Sequence, residues 1–175
     1  MKYKRINIED QGNTTIITMI SPEKRNVLAV ETMNEIIDTL QSIAESDALG
    51  VIIAAEGPVF SAGHNFADMR HASEQDAREL FDLCTRMMML IQWIPQVVIA
   101  RVHALDTAAG CQLVSMCDMA VAAESATFAA PGGKRSVLPY PHGRHCPSGG
   151  LKARAGDGLI GRCHRCSDCG RMGFS

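Results

Sequence analysis

"QVVIARVHALDTAAGCQLVSMCDMAVAA", residues 96–123, is the stretch whose reading decides the fold. It opens with the β-branched apolar run Val97–Val98–Ile99, just after Pro95. A short run of that kind, bounded by a breaker, reads as a buried strand. Small residues from Asp106 to Gly110 interrupt it. Helical character returns near Gly110, and "MAVAA" (119–123) is a second apolar run. Strand, loop, helix and strand in succession are the unit of a layered α/β fold.

The same alternation extends upstream. "YKRINIE" (3–9) and "TTIITMI" (14–20) are β-prone runs flanking Gly12-Asn13, a hairpin signal. From Glu31 to Ser46, Met33, Ile36, Ile37, Leu40, Ile43 and Ala44 recur at helical spacing. "GVIIAA" (50–55) reads as a buried strand. Ser73 and Asp76 form a capping-box pattern for a helix running to Trp93 and stopped by Pro95. In that helix Cys84 and the Met87–Met89 run read as core. Cys111 and Cys117 read as small packed residues with no nucleophile partner.

At 175 residues, 46% hydrophobic and 21% charged, the chain has the composition of one globular domain. No apolar run reaches the roughly 18–20 residues that span a bilayer, so no membrane role is expected. "MKYKRINIED" lacks an apolar signal segment and has little amphipathic transit character, which predicts a cytosolic protein. Seven cysteines without framework spacing favour reduced thiols. The net charge of −2 divides into −8 for residues 1–133 and +6 for residues 134–175. The basic segment has neither interleaved aromatics nor a repeated basic pattern, so nucleic-acid binding is not expected.

Residues 1–133 and 134–175 read as two segments. Half of the second is Gly, Arg, Cys and Pro, with no period of 2 or 3.6. It is expected to be irregular or disordered, because so little apolar surface cannot offset the entropy of ordering it. Cys163, Cys166 and Cys169, with His164 between them, have a spacing that can hold zinc or an iron–sulfur cluster. A metal-binding tail module is therefore one reading of this segment.

"AEGPVFSAGHNFADM" (55–69) and "ARVHALDTAAGCQLVSMCDMAVAAESATFAAP" (100–131) resemble the two signature regions of the crotonase, or enoyl-CoA hydratase/isomerase, family. "SPEKRNVLAVETMNEI" (21–36) resembles its N-terminal CoA-facing region, and the likeness covers about residues 3–132. The resemblance implies a ββα spiral core, incomplete here, and an acyl-CoA thioester as substrate rather than a resident cofactor or metal. It also implies a place in fatty-acid metabolism, and a homotrimer or hexamer for full-length relatives. By the same resemblance, the family's remaining segment helps hold the trimer, so this chain is not expected to assemble as its relatives do.

The family's shared chemistry holds an enolate oxygen on two backbone N–H donors, which suit the task because the fold fixes them in advance. By resemblance the donors belong to His64 and Ala109, with Gly63 and Gly110 permitting the turns. Ala62, His64, Asn65, Phe66 and Ala67 fall where the family contacts CoA. Lys24 and Arg25 match a basic region near the CoA phosphates, and read equally well as a solvated turn after Pro22. The two hydratase glutamates fall at Gln112 and Gly132. An amide orients a water but does not accept its proton, so a catalytically impaired acyl-CoA-binding protein is the alternative reading. Asp106 or His64 could substitute as a base, and His103 lies just before the loop. Each is also readable as a loop cap or a solvated group.

Beyond about Gly132–Val137 the family pattern stops. The genetic code offers an account: with codons built from the last two bases of one and the first of the next, Arg154–Gly161 permits A-L-E-M-A-L-S-G. Met172-Gly173 forces Trp, where the family carries one. A frameshifted tail is thus the competing explanation of the cysteines.

Overall fold

The computed structural model describes residues 3–65, 72–129 and 160–162. In chain order its elements are β1 (Ile6–Gln11), β2 (Thr14–Met19), a 3-10 turn (Pro22–Lys24), α1 (Val30–Ala44), β3 (Gly50–Ala55) and β4 (Val59–Ser61). Then come α2 (Glu74–Trp93), β5 (Val97–Val102), β6 (Leu105–Thr107), α3 (Ala109–Met116), β7 (Met119–Ala122), β8 (Phe128–Ala129) and β9 (Ile160–Arg162).

Two sheets result. The larger has the order β1-β2-β3-β5-β7-β9, the smaller β4-β6-β8. β1 and β2 form the antiparallel hairpin expected at Gly12-Asn13, with Gly12 at φ +62°. β2, β3, β5 and β7 run parallel, as helical crossovers require. After the β1–β2 hairpin, which lies wholly in the large sheet, the pairs β3–β4, β5–β6 and β7–β8 each send the first strand to the large sheet and the second to the small one, the α/β spiral that the resemblance implies.

The predicted apolar stripes are the ones that pack. Met33, Ile36, Ile37, Leu40 and Ile43 of α1 are buried, as are Leu80, Cys84, Met87, Met88 and Ile91 of α2. They share one core with Ile17, Met19, Ile53, Phe60 and Val98 from the strands. Glu35 fastens α1 to the first strand by accepting hydrogen bonds from the Lys4, Arg5 and Ile6 amides at 2.9, 2.8 and 3.2 Å. The Ser73–Asp76 capping box is formed in both directions.

The structure departs from the sequence reading in two places. The small sheet was not read, because strands of two or three residues carry no period to detect. Ile160–Arg162 lies in the segment expected to be irregular, yet it pairs antiparallel with β7 at the sheet edge. An open edge offers unpaired backbone groups to any extended segment, whatever its side chains. Among the described residues no helix is long and apolar enough to cross a membrane.

Candidate functional site

Three loops meet where β4, β6 and the Ser21–Leu28 turn end. Gly63 leaves β4 with φ +81°, a conformation a side chain strongly disfavours. Its Cα faces the start of α3 so closely that an added Cβ would lie 2.9 Å from Ala108 Cβ, 3.0 Å from the Ala109 amide nitrogen and 3.1 Å from Thr107 O. Glycine is required there by both backbone and space. The loop after β4 and the first turn of α3, far apart in sequence, are thereby pressed together.

On the other side the same loop is bound to the Ser21–Leu28 turn. Ala62 N donates to Arg25 O at 3.0 Å and Leu28 N to Gly63 O at 2.8 Å. Ser61 Oγ donates to Asn26 O and accepts from Gly63 N. Asn26, buried at φ +47°, supplies three further bonds: its amide donates to Glu56 O and Val59 O, and its Oδ1 accepts from Ser21 N. Sequence reading passed over Asn26 and Ser61. The signal for Asn26 was its place after a turn, where Asn tolerates a left-handed backbone.

Two amides stand at this junction. Ala109 opens α3, so its N–H has no carbonyl one turn earlier to bind. His64 follows Gly63 and forms an isolated parallel bridge with Leu28. Among the described residues neither amide donates to another protein group. Ala108, preceding Ala109, is held at φ 54° and ψ −119°, a strained conformation for a residue with a Cβ.

The side chains divide. His64 is buried, its ring edge-on to Phe81 of α2 at 5.7 Å between centroids. Burial holds its pKa below the usual histidine value, partly offset by the nearby Leu28 backbone, and neither ring nitrogen has a hydrogen bond of good geometry. Asp106 is fully buried on β6, so it is neither the solvated charge nor the loop cap considered from the sequence. Burial pushes its carboxyl up to about 7. His103 is bound to Gly57 O. Gln112 is half-buried in the first turn of α3, with Gly110 and Ala109 buried beside it.

Lys24 and Arg25 are exposed, and Arg25 has φ 56°. Lys24, Arg5, Val27, Ala29 and Asn65 line a cavity of about 510 Å³ beside the junction. A second cavity, of about 450 Å³, lies between α1 and β1, away from these loops. Phe66, Ala67, Gly132 and the candidate metal ligands of the tail, Cys163, His164, Cys166 and Cys169, lie outside the described residues. Among the described residues no group of three His, Cys, Asp or Glu side chains could hold a metal.

The enoyl-CoA hydratase/isomerase family pattern matches residues 9–143. The zebrafish (Danio rerio) protein named "Enoyl-CoA hydratase domain-containing protein 3, mitochondrial" is 44% identical over 126 residues, covering 71% of this chain and 44% of the relative. The human protein of the same name is 42% identical over 118 residues, covering 66% and 39%. Among solved structures, an enoyl-CoA hydratase of Mycobacterium smegmatis gives a TM-score of 0.70 at 37% identity, covering 71% of this chain and 50% of that one. Human enoyl Coenzyme A hydratase domain-containing protein 3 gives 0.68 at 37% identity, covering 74% and 52%. The chain spans less than half the length of those two curated relatives. Both carry "mitochondrial" in their names, which overturns the cytosolic expectation. Ten N-terminal residues were too short a text from which to read an address.

Proposed function

The chain belongs to the enoyl-CoA hydratase/isomerase (crotonase) family, and from that premise we propose that it binds an acyl-CoA and polarises its thioester carbonyl between the amides of His64 and Ala109. One observation carries the reading. A Cβ on Gly63 would lie 3.0 Å from the Ala109 nitrogen, so glycine lets the loop that continues into His64 press against the start of α3, and this close approach supports a pairing of the two amides. Such donors, fixed before the ligand arrives, are the arrangement that stabilises charge developing on a carbonyl oxygen. Unsatisfied N–H groups and the dipole of α3 add to it. In the cavity beside the junction Arg5 is paired with Glu31 at 2.7 Å, so Lys24 and Asn65 are the lining residues we assign to the phosphate-bearing end of the same ligand.

Hydration of an enoyl-CoA needs groups that move protons, and Gln112 cannot accept one. The reading is therefore of binding and enolate stabilisation in fatty-acid metabolism, with turnover to be measured separately. Calorimetric titration with crotonyl-CoA and with free CoA is the test. Tighter binding of the thioester, lost when the Gly63 turn is disrupted, is expected. Equal affinity for thioester and free CoA would overturn the carbonyl site. A hydratase assay on the same protein then separates an enzyme from an acyl-CoA-binding protein. The names of the relatives favour mitochondria as the place of action.

We also propose that the residues after about Gly132–Val137 are read in a shifted frame. The relatives that are 41–44% identical align over 118–126 residues, while a more distant one, 28% identical, aligns over 177; shifted codons permit the family's "A-L-E-M" and force its Trp. The nucleotide sequence between the codons for Pro131 and Pro139 decides it. A single frame joining both family segments after one inserted or deleted base is expected.

A further inference from the structure

Asp106 takes no part in the site described so far, yet it occupies the base of that site. Its side chain is 0% exposed, and neither carboxyl oxygen has a hydrogen bond of good geometry among the described residues. It is aimed at the first turn of α3: a Cβ on Gly110 would lie 2.1 Å from Asp106 Oδ1, 2.8 Å from Ser61 Cβ and 3.1 Å from Ser61 Oγ. The carboxyl is therefore wedged between two supports. Gly110 adjoins Ala109, one amide of the pair. Ser61 holds Gly63, which precedes the other.

We propose that Asp106 is a positioning residue whose charge sets the place of α3's first turn, and with it the availability of the Ala109 amide. Neutral, the carboxyl still has a carbonyl oxygen and an O–H to satisfy, but its demand for donors is far weaker than a carboxylate's. Ionised, it needs them: the Thr107 amide and the Cys111 thiol are already beside it, and the Gly110 contact sets it against the first turn of α3, whose opening N–H groups lack intrahelical partners. A carboxylate that draws on those amides competes with a ligand's carbonyl oxygen for the same donors. Its charge also repels negative charge building on that oxygen. Burial places the switch near neutral pH, at about 7, while the Thr107 amide and the Cys111 thiol offset it only in part.

Other titratable groups around it are few. Cys111 reaches Asp106 from α3, and its thiol is pushed up to about 12, so it stays neutral. β4 presents Ser61 and β8 presents Phe128, neither of which titrates. His64 lies across the junction, packed on Phe81, and titrates below 6.5. His103 sits one turn upstream, bound to Gly57 O.

This inference rests on the acyl-CoA reading for its consequence, but its cause is measurable without ligand. The Ala109 and Gly110 amide resonances of the ¹⁵N-labelled full chain are followed from about pH 5.5 to about pH 8.5, the range around the group's midpoint. Wild type is expected to titrate with a midpoint near 7, and Asp106→Asn, neutral throughout, is expected to stay flat. Crotonyl-CoA affinity over the same range should weaken about tenfold in wild type and hold in Asp106→Asn at the low-pH wild-type value. Should Asp106→Asn not fold, Asp106→Ala makes the same comparison. An amide titration that persists in the neutral variant, or is missing from wild type, overturns the proposal. Amides that titrate in a protein that binds no acyl-CoA leave it standing and overturn the acyl-CoA reading instead.

Discussion

At the scale of single residues, the junction depends on atoms that are absent. Gly63→Ala places a Cβ against Ala108, Ala109 and Thr107 and forces a side chain onto φ +81°. The chain yields by parting the two loops. We expect at least a tenfold loss of crotonyl-CoA affinity by titration, with a stability loss of about 1–3 kcal/mol by urea unfolding. The buried titratable groups oppose one another. Asp106 is raised from 3.8 to about 7, so the stability it contributes is complete below about pH 4 and is lost as pH rises through 7. His64 is lowered from 6.5, so its contribution is complete above that value and is lost as pH falls below it. Asp106→Asn should therefore move the maximum of a melting-temperature profile toward alkaline pH, and His64→Gln should flatten the acid side. On the order of 2–4 kcal/mol separates wild type at about pH 4 from wild type at about pH 8 through Asp106 alone. A profile unchanged in Asp106→Asn would show that this carboxyl is charged in the unfolded and folded chain alike.

Elements show what the sequence can and cannot reveal. α1 and α2 were readable because their buried faces repeat every three or four residues and because Ser73 and Asp76 announce a start. The parallel strands β3 and β5 were readable as apolar runs between breakers. β4, β6 and β8 were not, since a strand of two or three residues has no period, and its identity comes from pairing partners remote in sequence. Of the site, Gly63, His64, Ala109 and Gly110 were reached through family resemblance. The burial of Asp106 and the threefold bonding of Asn26 depend on those unread strands and could not be foreseen. The capping box allows an element-scale test. Ser73→Ala removes the bond to Asp76 N at 3.1 Å and the hydroxyl's bond to the Asp76 carboxylate. A loss of about 1 kcal/mol is expected in chemical denaturation. Because the cap lies on the exposed end of α2, crotonyl-CoA affinity should not change.

For the molecule as a whole, the question is whether site and core are one cooperative unit. The small sheet carries the site but has little apolar surface of its own. In β6, Leu105 is 39% exposed and Asp106 is polar, while Phe128 of β8 is only partly covered. Phe60 of β4 is the exception, fully buried and part of the core shared with α1, α2 and the large sheet. It stands next to Ser61, the residue that holds Gly63. Phe60→Ala should cost about 3–5 kcal/mol, in the range for large-to-small aromatic substitutions in a core. Phe60→Leu, which keeps most of the volume, should cost about 1.5 kcal/mol or less. If the small sheet is anchored through this ring, crotonyl-CoA affinity falls in step with stability across the two variants. Urea transitions followed by circular dichroism and by ligand binding then coincide. Affinity lost while the circular-dichroism transition stays at its wild-type midpoint would mean that the small sheet opens independently of the core, and that the proposed site depends on that sheet rather than on the core.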